Sequence, residues 1–145
     1  IYPKQEGICA FIIKRINGHY HFLVQGKVES GNFDIIEMAP TVQCITGNYR
    51  AEDSKSLHYL DYVLNVGSDK VIYDVMQSEE GGRFFNEVNR NMIIEADETV
   101  KIETPHNYIW MTLAQIHNFI RFNNFFNIQA RSLISAMVLI ENEYS

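Results

Sequence analysis

The strongest constraint on the fold comes from an apolar run, Ile8 to Ile13, which is followed closely by the dipeptide Asn17-Gly18. The run is rich in residues that favour strands, and Asn-Gly is the dipeptide most typical of a two-residue hairpin turn. We therefore predict a buried strand, a tight turn and a returning strand from His19 to Glu29. The apolar run is far too short to cross a membrane.

The predicted returning strand has two chemically different faces, because side chains alternate along a strand. Its apolar face consists of Phe22, Val24, Gly26 and Val28. Its other face carries a row of polar groups, namely Gln25, Lys27 and Glu29. Such a row forms either the wet side of a sheet or a surface that faces a substrate.

The rest of the chain mixes strand and helix patterns. Predicted strands follow Pro40 and lie at Val71–Met76 and Met92–Glu95. Predicted helices lie at 54–65 with Gly67 as the C-terminal signal, at 84–91, from the capping box Thr112/Gln115 to Asn123-Asn124, and at 128–141. The polar trio Asn89-Arg90-Asn91 lies unusually close to apolar segments. This order of elements predicts an α+β layer fold in a single domain, residues 1–145.

Composition limits the classes of function. The 145 residues carry a formal net charge of −6, whereas a nucleic-acid-binding module shows a basic excess. Cys9 and Cys44 stand in apolar contexts without the spacing of a metal site, so we predict buried thiols in a reducing compartment. The first residues lack the pattern of a secretion signal, which predicts a cytoplasmic protein without a membrane span.

The stretch Gln77–Phe84 concentrates many chemical groups between two apolar segments. The adjacent carboxylates Glu79 and Glu80 raise one another's proton affinity, so one of them is suited to act as an acid or base. Gly81-Gly82 allows close approach of the backbone to a ligand, and Arg83 offers a planar fork of donors that matches phosphate. The stretch predicts a functional turn for an anionic substrate; a solvated loop is the alternative.

Two further positions suggest ligand contacts. Tyr49 lies in a predicted turn beside Arg50, where an aromatic ring can stack on a base or a sugar, although an exposed turn tyrosine is more often structural. Arg131 lies near the start of the last predicted helix, against the preference of the helix dipole. A cation at that end of a helix suggests a bound anion.

Six strings, taken together and in order, resemble the NDP-hexose 2,3-dehydratase family of deoxysugar biosynthesis. These strings are Leu23–Glu29, Ala39–Cys44, Asn48-Tyr49, Gln77–Phe84, Trp110–Leu113 and Asn127–Leu133. The resemblance spans nearly the whole chain.

The resemblance implies a fold and a reaction. The fold is a Nudix-like mixed sheet flanked by helices. The reaction on an NDP-4-keto-6-deoxyhexose, with dTDP as the expected nucleotide, removes the proton at sugar carbon 3 and expels the hydroxyl at carbon 2, without a cofactor. Gly81-Gly82 is followed by Arg83-Phe84 and Glu87 rather than by a glutamate-rich helix that binds magnesium, so phosphohydrolase activity is disfavoured.

The resemblance also gives roles to residues. The base is Glu79 or Glu80, and the developing enolate is stabilised by Lys27 or Gln43. The remaining substrate contacts are Arg83 and Arg131 to the diphosphate, Tyr49 and Trp110 to the nucleotide base, and Gln25 and Glu29 on the polar strand row.

The family's chains carry two such modules in tandem, and this sequence is most like the second. The expected partners are therefore a nucleotide sugar and either a second copy of this chain, as a homodimer, or the other module of a longer chain. A non-catalytic module that binds nucleotide sugars or supports dimerisation is the alternative function.

Overall fold

The computed structural model describes residues 5–28, 36–45, 58–79 and 87–123. Its strands are β1 (Gln5–Ile16), β2 (His19–Val28), β3 (Ile36–Ala39), β4 (Val42–Ile45), β5 (Val71–Glu79), β6 (Glu87–Glu95) and β7 (Tyr108–Thr112). Its helices are α1 (Leu60–Asn65), a 3₁₀ turn (Ser68–Lys70) and α2 (Leu113–Asn123). None of the described helices is long and apolar enough to cross a membrane.

The described strands form one mixed sheet with β1 near its centre. The main path runs β3-β2-β1-β6-β5, while β4 pairs with β1 and β7 pairs with β2. β1 and β6 are parallel, from Gln5 opposite Glu87 to Ile13 opposite Glu95. The other described pairings are antiparallel. This arrangement confirms the predicted mixed sheet with flanking helices.

The predicted hairpin joins β1 to β2. Asn17 and Gly18 both have positive φ, 53° and 83°, as the favoured two-residue hairpin turns require. Ile16 lies opposite His19 and Ile13 opposite Phe22, which fixes the register of the pair.

β1 and β2 then separate, and the chain between β3 and β4 enters the fork. The first half of β1 pairs with β4, whereas the second half of β2 pairs with β3. The hydroxyl of Thr41, in the link between β3 and β4, accepts the backbone N–H of Ile12 at 2.9 Å and donates to the carbonyl of Leu23 at 2.5 Å. Thr41 therefore satisfies buried backbone groups at the point where the β1–β2 ladder ends.

Apolar side chains cover both faces of the sheet at its centre, which explains why Ile8–Ile13 is continuously apolar. On one face, hereafter the α2 face, Cys9, Phe11, Ile13, Phe22, Val24, Ile93 and Met111 pack with Ile116 of α2. On the opposite face, hereafter the α1 face, Ile8, Ala10, Ile12, Leu23, Met92 and Ile94 pack with Leu60 and Val63 of α1.

The two-sided core corrects the interpretation of β2. Its second face is not simply a polar row, because Leu23 is fully buried there. Of the two alternatives for the polar row, a solvent-exposed face therefore does not apply to the middle of the strand, where Leu23 lies.

Three further predictions of local structure were wrong. Residues from Glu87 onward form strand β6 instead of the end of a helix, because hydrogen bonding to β1 and β5 on both sides overrides local propensity. Gln77 to Glu79 extend β5 instead of belonging to a turn. Gly67 has φ −70°, so it is not a left-handed cap, and α1 already ends at Asn65.

The capping box was predicted correctly. The backbone N–H of Thr112 donates to Gln115 Oε1 at 2.9 Å, and the N–H of Gln115 donates to Thr112 Oγ1 at 3.2 Å. α2 follows and ends at Asn123. The helix predicted at 128–141 lies outside the described residues.

Candidate functional site

The described part of the chain contains five of the predicted site residues. Gln25 and Lys27 lie on β2, Gln43 on β4, Glu79 at the end of β5 and Trp110 on β7. The other five, Glu29, Tyr49, Glu80, Arg83 and Arg131, lie outside the described residues.

Gln25 has a structural role at the fork between β1 and β2. Its Nε2 donates to the carbonyl of Pro40 at 3.0 Å and to that of Thr41 at 3.3 Å. These bonds hold the link between β3 and β4 against β2. At least the amide nitrogen of Gln25 is therefore engaged by the fold itself.

Trp110 is held on the α1 face of the sheet. It lies opposite Leu23 on β2 and packs at the edge of the core that contains Leu60. Its indole Nε1 donates to the carbonyl of Ile102 at 2.9 Å. This bond fixes the plane of a half-buried ring, which makes the ring suitable for stacking.

The α2 face carries a row of four amide side chains, of which only Gln43 was predicted as a substrate contact from the sequence. Asn91 and Gln43 lie opposite Cys9 on its two sides, so they are about 10 Å apart across β1. Asn89 lies two residues before Asn91 on β6 and opposite Gln77 on β5. We call these four residues, Gln43, Gln77, Asn89 and Asn91, the amide row.

Two members of the amide row, Asn89 and Asn91, have unused hydrogen-bonding capacity. Asn91 is 4% exposed, and its Nδ2 donates to Gln77 Oε1 at 2.7 Å. Asn91 Oδ1 and Asn89 Nδ2 are buried without a hydrogen-bond partner among the residues that the structure describes. An unsatisfied buried polar group costs about 1 to 3 kcal/mol, so two of them close together require an explanation.

Strand register relates the predicted catalytic residues to this row. Glu79 is two residues beyond Gln77 on β5 and pairs with Glu87, two register positions beyond the pair of Gln77 and Asn89. Gln43 belongs to the row itself. Lys27 is two residues beyond Gln25 on β2 and pairs with Glu37 of β3.

A concave region lies on the α1 face, between α1 and the sheet. This cavity of about 390 Å³ has apolar walls that include Ile8, Val63 and Met92. At its rim Arg90 Nε donates to Asp74 Oδ1 at 2.8 Å, and Nη2 contacts Oδ2. The hydrogen bond from Arg90 lowers the pKa of Asp74. Because Asp74 balances the charge of Arg90, the cavity is poorly suited to an anion.

Aromatic rings cluster beside the fork on the same face. Tyr108 lies opposite Gln25, and its ring centroid is 5.2 Å from that of Tyr59 and 5.8 Å from that of His58. Burial, with a smaller contribution from the charge of Tyr59, raises the pKa of Tyr108 to about 12. Its hydroxyl is therefore protonated at neutral pH and can donate a hydrogen bond. Tyr59 has φ 70°, a strained conformation for a residue other than glycine.

Solved structures with the same architecture belong to Nudix proteins. The Nudix hydrolase RenU of M. smegmatis superposes with a TM-score of 0.61 over 95% of this chain and 86% of that chain, at 9% identity. The Ap4A hydrolase of C. elegans gives a TM-score of 0.53 over 95% of this chain and 98% of that chain, at 11% identity. These matches define a Nudix-like α+β fold, as predicted.

The family follows from sequence comparison, where the family model for NDP-hexose 2,3-dehydratases matches residues 1–137. The chain belongs to the NDP-hexose 2,3-dehydratase family, which confirms the resemblance of the six strings.

Two curated relatives are named dTDP-4-dehydro-6-deoxy-alpha-D-glucopyranose 2,3-dehydratase. The protein from Streptomyces violaceoruber is 38% identical over 135 residues, which are 93% of this chain and 30% of the relative. The protein from Saccharopolyspora spinosa is 42% identical over 138 residues, 94% of this chain and 28% of the relative. The chain thus spans less than a third of the length of these relatives.

Proposed function

We propose that this chain is a catalytic module that removes water between carbons 2 and 3 of an NDP-4-keto-6-deoxyhexose, with dTDP as the nucleotide. The observation that carries the proposal is the family match over residues 1–137. The curated relatives carry the name of this reaction on a dTDP sugar. The deoxysugar product and a cytoplasmic location belong to the same proposal.

The proposed reaction is an elimination next to a ketone. A carboxylate takes the proton from carbon 3, and the electrons of that C–H bond form an enolate whose charge lies on the oxygen at carbon 4. The enolate electrons then form the C2–C3 double bond as the C2–O bond breaks, and the departing hydroxide takes up a proton and leaves as water. Carbon 3 keeps its hydroxyl, so the product is an enol that tautomerises to a 3,4-diketone.

The proposed base is Glu79 or Glu80. A position at the end of β5 supports Glu79, because the pair of Gln77 and Asn89 of the amide row lies two register positions away on the same strands. A base at this end of the sheet would therefore lie beside neutral hydrogen-bonding groups. Glu80 follows it directly in the chain.

The proposed stabiliser of the enolate is Gln43 or Lys27. Register favours Gln43, because it lies on the α2 face with Asn91, on the opposite side of Cys9. An amide N–H aimed at the oxygen on carbon 4 would stabilise charge as it develops there. Lys27 lies on β2, where it pairs with Glu37 of β3.

The remaining substrate contacts stay as predictions. Arg83 and Arg131 are proposed to bind the diphosphate, and Tyr49 and Trp110 to contact the nucleotide base. Gln25 and Glu29 complete the predicted set, with Gln25 in addition fixing the fork.

Turnover of dTDP-4-keto-6-deoxyglucose tests the function. We expect mass spectrometry to show loss of one water from the sugar on incubation with the protein. Glu79→Gln or Glu80→Gln should lower the rate about 100- to 10,000-fold, the usual effect of losing a general base. Glu103→Gln is a matched control, because Glu103 is an exposed glutamate outside the predicted site. Failure of the folded protein to form product, while a two-module relative is active in parallel, would refute catalysis by this chain.

The length of the relatives favours a second candidate function, a non-catalytic module that binds a nucleotide sugar or supports dimerisation. This function predicts that dTDP raises the melting temperature without any turnover, because a ligand that binds only the native state stabilises it. A melting temperature that is unchanged by saturating dTDP would contradict binding.

We further propose that the site is completed by a second module, supplied by another copy of this chain or by a longer chain. Light scattering coupled to size-exclusion chromatography distinguishes a homodimer from a monomer. A monomer that turns over substrate at full rate would show that one module is sufficient.

A further inference from the structure

We propose that the amide row binds the hexose of the nucleotide sugar through Asn89 and Asn91, an inference that rests on the proposed function for the identity of the ligand. The row lies on the α2 face at the point where the apolar core gives way to polar side chains. Ile93 belongs to the core, while Asn91 and Asn89 continue the same alternation along β6.

The unsatisfied atoms define the chemistry of the ligand. Asn89 Nδ2 is a donor and Asn91 Oδ1 is an acceptor, and neither has a partner in the described part of the chain. Residues two apart on a strand are about 7 Å apart. A group that contains both hydroxyls and a carbonyl within that span satisfies both atoms, and a keto-hexose ring is such a group.

The absence of charge from the amide row argues against the diphosphate as its ligand. Gln43, Gln77, Asn89 and Asn91 are all neutral amides. The cation between the two asparagines, Arg90, pairs with Asp74 at the rim of the cavity on the α1 face. A row of neutral amides is therefore better suited to bind the sugar than to bind the charged diphosphate.

Gln77 connects the buried asparagine to the surface. Asn91 is buried, whereas Gln77 is exposed and accepts the hydrogen bond from Asn91 Nδ2. A sugar hydroxyl can replace the amide of Gln77 in this bond, since an exposed glutamine regains its hydrogen bonds from water. The buried amides then gain partners when the hexose binds.

The position of the row agrees with the proposed chemistry. The pair of Glu79 and Glu87 lies two register positions beyond the pair of Gln77 and Asn89. A hexose on the amide row would therefore lie near the end of β5, where the proposed base begins.

Isothermal titration with dTDP and dTDP-glucose tests this inference. The hexose of dTDP-glucose lacks the ketone, so it reports binding without elimination. We expect the protein to bind dTDP-glucose more tightly than dTDP. Asn91→Leu should weaken binding of dTDP-glucose about 3- to 10-fold, the usual effect of losing a neutral hydrogen bond, and leave binding of dTDP unchanged.

Two further variants separate binding from folding. Leucine is similar to asparagine in size and removes a partly unsatisfied buried amide, so the melting temperature of Asn91→Leu should be unchanged or higher. Asn89→Ala, at a half-buried position, tests the same prediction if Asn91→Leu does not fold. Asn65→Ala is the control, because Asn65 is exposed on α1 and donates to the carbonyl of Asp61 within the same helix.

Each result has one interpretation. The hexose assignment is overturned if the unchanged protein binds dTDP and dTDP-glucose with equal affinity. It is also overturned if Asn91→Leu weakens binding of both ligands equally. Both conclusions hold even if the protein is an active dehydratase. If Asn91→Leu weakens binding of dTDP-glucose but not of dTDP, the assignment is supported even if no turnover is found. Failure of both ligands to bind the unchanged protein overturns this inference together with the proposed function.

Discussion

The hydroxyl oxygen of Thr41 accepts the backbone N–H of Ile12 at 2.9 Å, where β1 leaves the ladder that it shares with β2. The same hydroxyl donates to Leu23 on β2, so one side chain bridges both strands of the fork. Thr41 is fully buried, which excludes water as a substitute.

Replacement of Thr41 by valine should destabilise the protein strongly. Valine has the same shape but leaves the N–H of Ile12 and the carbonyl of Leu23 unpaired, at about 1 to 3 kcal/mol for each group. Thr41→Ser keeps the hydroxyl and loses one methyl group, for about 1 kcal/mol. Urea unfolding of both variants measures the difference, and equal free energies of unfolding would contradict the bridging role.

Tyr62 attaches α1 to the end of β6. Its hydroxyl donates to the carbonyl of Glu95 at 2.8 Å and accepts the N–H of Asp97 at 3.0 Å. We expect Tyr62→Phe to lower the free energy of unfolding by about 1 to 3 kcal/mol, because two partly buried backbone groups lose a partner. Tyr73→Phe, on β5, is a control for loss of a phenol hydroxyl; a larger loss in the control than in Tyr62→Phe would refute this prediction.

The ion pair of Asp74 and Arg90 should contribute little, and its contribution should disappear in acid. The side chains are 32% and 47% exposed, so Asp74→Asn should cost at most about 1 kcal/mol at pH 7. The hydrogen bond from Arg90 lowers the pKa of Asp74 below 3.8 in the folded state.

This shift fixes the direction of the pH dependence. The ion pair stabilises the folded state at pH values above the pKa that Asp74 has in the unfolded chain. This stabilisation is lost as the pH falls through the lower pKa that Asp74 has in the folded protein. Urea unfolding at a series of pH values should show the gap between Asp74→Asn and the unchanged protein closing below about pH 4. A gap that is constant down to about pH 2 would be inconsistent with this cause.

Tyr108 should make the protein sensitive to alkali. Burial raises its pKa from 10.0 to about 12, so the folded state favours the protonated phenol. The corresponding stability is complete below pH 10 and is lost as the pH rises from 10 towards 12. Between pH 10 and 12 the melting temperature of Tyr108→Phe should therefore fall less than that of the unchanged protein. Parallel loss in both proteins would show that other groups dominate alkaline unfolding.

Local chemistry explains which parts of the fold could be predicted. Asn17-Gly18 and the pair Thr112/Gln115 specify a turn and a helix start through contacts within a few residues. The helix predicted at 84–91 failed from Glu87 onward because β6 is defined by strands distant in sequence. Local patterns do not contain those partners.

The same limit applies to the site. The sequence identified the trio Asn89-Arg90-Asn91 as an unusual polar segment. Because the segment was predicted as a helix, the sequence did not show that Asn89 and Asn91 share one face of a strand. The family resemblance supplied Glu79 and Gln43 as candidates without their relative positions. Strand register now relates Gln43 to Asn91 across β1 and Glu79 to the end of the amide row.

The parallel pairing of β1 with β6 also has a consequence for synthesis of the chain. β1 precedes the other described strands, yet Ile8 to Ile13 pair with residues 90–95. On the ribosome this apolar segment therefore emerges long before its parallel partner strand β6 is made, although β2 and β4 follow it sooner. Such a delayed contact slows folding and leaves an aggregation-prone segment exposed. Chaperone demand during translation should consequently depend on how soon β6 emerges.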